Sequence, residues 1–82
     1  MRITAVQEGA LVEALVHEIR GVARVLCGPA TERSLIRKGL VEKVENPGPG
    51  MGPRLYLTGH GRLVAILYRE RAIRMLRERL ML

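Results

Sequence analysis

The sequence predicts a mainly α fold with one small β-hairpin and an extended C-terminal helix. Three observations carry that expectation. Apolar residues recur at helical spacing near the start of the chain and again over its last third. A short basic segment ends at a glycine, Gly39, placed as a helix terminator. Two short β-patterned runs flank a loop built from alternating proline and glycine. With 82 residues the chain holds one domain with a thin core.

The first helix, residues 4–20, opens at Thr4, and Gln7 three residues on completes a capping-box pattern. Ala10, Leu11, Ala14, Leu15 and Ile19 share one face, and Glu8, Glu13 and Glu18 fall mostly off it. Gly9 is a mild defect inside this helix, and Gly21 marks its end. Residues 22–27 mix β-branched side chains with Ala and Leu, and read either as a short second helix or as a strand-like turn. Gly28-Pro29 then breaks the chain. Either Pro29 occupies the first turn of a new helix or Thr31 caps it, and Thr31–Lys38 reads as a short helix closed by Gly39.

A hairpin follows over residues 40–57. Its strands are Leu40–Glu45 and Arg54–Leu57, and the loop between Asn46 and Pro53 holds three Pro and three Gly, so no ladder can run through it. That loop is expected to be mobile. Thr58 caps the last helix, residues 58–82, with Gly59 and Gly61 loosening its first turn. Leu63, Ile66, Leu67, Ile73, Leu76 and Leu80 lie on one side of it, and Glu70, Arg74 and Glu78 form successive i,i+4 pairs.

Composition narrows the function. Cys27 is the only cysteine, which rules out an intrachain disulfide, and no group of histidines surrounds it, so no metal or other cofactor is expected. The chain has no aspartate, and His17 and His60 are expected to stand apart from any carboxylate or nucleophile at a useful spacing, so it is not expected to be an enzyme. The segment Met1–Thr4 lacks the basic start and apolar run of a signal peptide, and no window approaches the roughly 18 apolar residues of a membrane span. The expectation is a soluble cytoplasmic protein with no membrane partner. Net charge is +6, carried by residues 21–39 and 62–82, while the stretches before and between them are close to neutral. Two separated basic segments suit a polyanion.

Thr31, Leu35, Lys38-Gly39-Leu40-Val41-Glu42 and Leu57-Thr58 with Gly61 together resemble the "T…L..kGLVe…y.LT..G" signature of winged helix repressors of the MarR and PadR type. The resemblance covers roughly residues 20 to 62. It implies a winged helix-turn-helix fold, with the helix-turn-helix at 21–39, the wing at 40–57 and an extended C-terminal helix. It also implies duplex DNA as partner and transcriptional regulation in a bacterium or phage as role. The chain departs from the family where residues 21–28 fit a second helix poorly, and where the wing carries Arg54 alone while Glu42 and Glu45 lie on the opposite strand.

If Leu35 faces inward, Glu32, Arg33, Ile36 and Arg37 point largely outward, with Ile36 open to either packing or exposure. A short helix in the major groove reads bases with its N-terminal side chains. Arg33 is therefore the candidate base contact, with Glu32 beside it on the exposed arc. Arg37 and Lys38 are candidates for phosphate, Thr31 and Ser34 for hydroxyl or backbone contacts, and Arg54 for a contact from the wing. The last helix carries a second expectation. Ile66, Ile73 and Leu80 recur every seven residues with Leu76 in the adjoining seam position, so Ile73, Leu76 and Leu80 are expected to form a homodimer interface. The alternative of a different class is a protein-interaction adaptor of the same architecture, such as a phage factor acting on a host protein, without specific DNA binding.

Overall fold

A computed structural model describes residues 2–81. Within it the order is α1 (Ala5–Ile19), α2 (Pro29–Arg37), β1 (Val41–Val44), β2 (Arg54–Leu57) and α3 (Gly59–Leu80). The molecule is mainly helical, with one two-stranded antiparallel sheet.

The helix boundaries follow from local chemistry. At the start of α1, the Gln7 backbone N–H donates to Thr4 Oγ1 at 3.2 Å and the Thr4 N–H donates to Gln7 Oε1 at 3.3 Å, a complete capping box. Both α1 and α2 end in Schellman motifs, each turned by a glycine at positive φ. Gly21, at φ 92°, lets the Val22 N–H reach the His17 carbonyl, and Gly39, at φ 72°, lets the Leu40 N–H reach the Leu35 carbonyl. The second motif closes on a contact between two fully buried leucines, Leu35 and Leu40, and turns the chain straight from α2 into β1.

Residues 22–28 form neither helix nor strand. They are tied to the sheet by one bond, from the Val25 N–H to the Leu55 carbonyl, and Val25 enters the core. The span 21–39 therefore holds one helix, α2, where a helix-turn-helix would hold two. β-Branched Val22 and Val25 before the Gly28-Pro29 break disfavour a helix there.

The core joins Ala10, Leu11, Ala14 and Leu15 of α1 to Leu35, Leu40, Val41, Leu55 and Leu57, with Ala65 from α3. In the hairpin Val41 pairs with Leu57 and Lys43 with Leu55. Leu55 and Leu57 face the core, and Arg54 and Tyr56 point to the other face. Between the strands, the loop is held by a bond from the Met51 N–H to the Gly48 carbonyl and a left-handed turn at Gly50.

α3 enters the core by its smallest residues. A Cβ at position 61 would overlap the Leu40 carbonyl oxygen, so Gly61 is required by close packing and does not loosen the turn as its position near the cap suggests. Thr58 fixes the same junction. Its Oγ1 accepts from the Gly61 N–H and donates to the Gly39 carbonyl, and its N–H donates to the Leu40 carbonyl. With Gly61 and Ala65 turned inward, the larger Leu63, Ile66 and Leu67 that share one side of the helix are turned out. Ile19, expected inside, is 64% exposed, because the inward position of the last turn of α1 belongs to Glu18. The Glu18 carboxylate takes a two-point bond from Arg62, at 2.9 Å from Nε and 2.6 Å from Nη2.

Candidate nucleic-acid interface

α2 is nine residues long, with Gly28 at its N-cap and Pro29 at its first position. Leu35 anchors one side of it in the core, which leaves Pro29, Ala30, Arg33 and Arg37 on the outward arc. Ile36 is exposed beside them, which settles its orientation. Arg33 and Arg37 stand one turn apart on this ridge, and neither forms an ion pair with a carboxylate among the described residues.

The flanks of α2 are tied down by its neighbours. Ser34 accepts a bond from Gln7 Nε2 at 2.8 Å, and Lys38 Nζ donates to Gln7 Oε1 and to the Arg2 carbonyl, both at 2.6 Å. Gln7 is the one buried polar side chain among the described residues and all its polar atoms are used. Ser34 and Lys38, expected at phosphates, thus act as struts between α2 and the start of α1. The reason is geometric: α1 begins against this flank, and residues four apart in α2 face it together. On the other flank Glu32 lies 3.7 Å from Lys43 of β1, so its carboxylate faces the hairpin. Thr31 is half-buried.

Arg54 is half-exposed at the first position of β2. It borders an open groove of about 380 Å³ between residues 22–28 and the hairpin, where Arg24 and Lys43 also lie, with Cys27 and Glu32 on the wall. The groove adjoins the first turn of α2, so its cations extend the positive rim of the Arg33–Arg37 ridge. Arg24 escaped the sequence reading because the course of residues 22–28 was open. Gln7 was visible only as half of a capping box, and nothing in its spacing signals a bond to a residue 27 positions away.

Other reactive groups offer no assembled chemistry. Burial, reinforced by the Glu32 charge, pushes the Cys27 thiol above its ordinary pKa, the reverse of what a reactive thiolate needs. His17 has a carboxylate neighbour after all: its Nε2 lies 3.9 Å from Glu13 Oε1 one turn back along α1, a spacing the sequence reading passed over. No group of three potential metal ligands occurs among the described residues, and no helix among them is long and apolar enough to cross a membrane.

Comparison of the chain with protein-family models gave no match, and comparison with curated proteins and with solved structures gave none.

Proposed function

We propose that this chain binds duplex DNA as a winged helix-turn-helix type of module and serves as a small transcriptional regulator. In this reading α2 enters the major groove, β1 and β2 form the wing, and residues 22–28 stand where a further helix would otherwise lie. The observation that carries it is the Arg33–Arg37 ridge: two guanidinium groups one turn apart, on the outward face of a short helix whose other sides are braced by Gln7 and Lys43. A braced helix presents its arginines at little further entropic cost, and arginine makes the two-point bonds that recognise guanine edges and phosphates. Arg54 and Arg24 add backbone contacts from the groove side.

Selection of bound sequences from a random duplex pool tests the reading. A recovered motif that loses preference at one base pair in the Arg33→Ala variant supports it, with an affinity loss of about 1–3 kcal/mol. Failure to enrich any duplex sequence counts against it. The adaptor reading draws on a different observation, the exposed apolar residues of α3, and predicts no retention of duplex DNA even at low salt.

A further inference from the structure

The second half of α3 has no place in its own chain. Every described residue from Arg69 to Met81 is exposed, including Ile73, Leu76 and Leu80 at 39%, 58% and 86%. α3 starts beside Glu18 at the end of α1 and passes Ile3 at Val64, Leu67 and Tyr68. Past these contacts every described residue of α3 is exposed, so its last dozen residues, about 18 Å of helix, project from the body of the chain.

The surface area measures the consequence. The chain exposes 5969 Å², whereas a compact monomer of 9.2 kDa exposes about 4,900 Å². Its radius of gyration is 13.9 Å, against about 11.7 Å for a compact chain of 82 residues. The excess, roughly 1,000 Å², is what one partner contributes to an ordinary stable interface, roughly 800 Å².

α1 offers a face that fits. Opposite its core side, Ala5, Gly9, Val12, Val16 and Ile19 form a second apolar strip, none of them buried. A Cβ at Gly9 would meet nothing in its own chain, so no intrachain contact calls for glycine at this mid-helix position. Glu8 and Glu13 border the strip, while the free half of α3 sets Arg69, Arg71, Arg74, Arg77 and Arg79 against only Glu70 and Glu78. Zipping two α3 helices together would crowd these arginines and place Arg69 in line with Ile73 and Leu76. Laying α3 on α1 pairs them with carboxylates.

We propose that the chain forms a reciprocal homodimer in which the free half of each α3 packs on the outer face of the other copy's α1. The assembly does not depend on the DNA-binding reading. Two charge-reversed chains test it: Glu8→Arg with Glu13→Arg, and Arg69→Glu with Arg77→Glu. By sedimentation equilibrium at tens of micromolar, the unaltered chain is a dimer, each variant alone dissociates at least tenfold more readily, and an equimolar mixture recovers the dimer, because both of its helix contacts again join opposite charges. Circular dichroism checks that each variant folds, and the single changes Glu13→Arg and Arg77→Glu enter the same mixing scheme should a double variant lose helix. A monomeric unaltered chain overturns the proposal. So does a Glu8→Arg, Glu13→Arg chain that dimerises normally, which would mean pairing of α3 with α3, and so does a mixture no tighter than its components. Glu8 and Glu13 lie neither on the α2 ridge nor in a basic segment, so the monomeric Glu8→Arg, Glu13→Arg chain keeps low-salt retention of duplex DNA and the two proposals fail separately.

Discussion

In the body of the molecule, from Thr4 to Ala65, leucines and small residues converge while backbone and polar groups are matched one by one. Gln7 satisfies Thr4, Ser34 and Lys38, and Thr58 ties Gly39 and Leu40 to Gly61. In the free half of α3, equally large side chains such as Ile73, Met75 and Leu76 are exposed. The contrast shows that within α3 the size of an apolar residue is a poor guide to its place. Small residues of α3 mark the intrachain contact, because at Gly61 the helix approaches the Leu40 backbone too closely for anything else, and the large ones stay exposed. Substitutions that exchange these roles break or sharpen the contrast.

The largest effect is expected at the tightest point. Gly61→Val drives two methyl groups into the Leu40 carbonyl, and a destabilisation of at least about 3 kcal/mol, enough to leave little cooperative unfolding in a domain this small, is expected in a thermal melt. A variant that melts like the unaltered chain would show that α3 can back away from Leu40. Next comes a matched pair. Leu35→Ala empties a fully buried site and should cost about 2–5 kcal/mol at every protein concentration. Leu76→Ala should lower the melting temperature only where the chain self-associates, so its effect grows with concentration. An equal, concentration-independent loss at both positions would erase the distinction between body and free helix.

A smaller effect is expected at Glu18. The bond from Arg62, with its charge, holds the Glu18 carboxyl below the ordinary value of 4.5 despite some desolvation. A depressed carboxyl contributes stability that is present above its unfolded pKa and lost as pH falls through the folded one. Glu18→Gln should therefore cost up to about 1 kcal/mol at pH 7, since the pair is partly solvated, and the difference from the unaltered chain should shrink below about pH 4.5. A difference independent of pH would assign the effect to something other than the ion pair. The smallest change is expected in the loop. Replacing residues 46–53 with a tight turn should shift stability by no more than roughly 0.5–1 kcal/mol, since closing a shorter loop changes the entropy only slightly. Unfolding of that variant would mean that the loop packs on the core.

Much of the body was legible in the sequence because its signals are local. Thr4 with Gln7, Gly21, Gly39 and Thr58 each act within a few residues, and each bounds the element its pattern suggested. What stayed hidden is long-range. Periodicity set Leu63, Ile66 and Leu67 on one side of α3, but which side meets the core depends on the approach to Leu40, a residue more than twenty positions away. The same holds for the candidate interface. Arg33 and Arg37 were found because a helix with Leu35 inside must show them outside. The bonds of Ser34 and Lys38 to Gln7 were not legible, because only the fold brings Gln7 to them.

The central claim is that the Arg33–Arg37 ridge on the braced α2 helix binds duplex DNA. Its most direct test is a fluorescence-anisotropy titration of a mixed-sequence duplex across a range of potassium chloride concentrations, comparing the unaltered chain with Arg33→Ala, Arg37→Ala. Binding by the ridge predicts an affinity that falls linearly with salt on logarithmic axes, and a slope that becomes shallower by about 0.9 for each phosphate contact removed in the variant. No binding at the lowest salt, or identical affinities and slopes for the two chains, would contradict it.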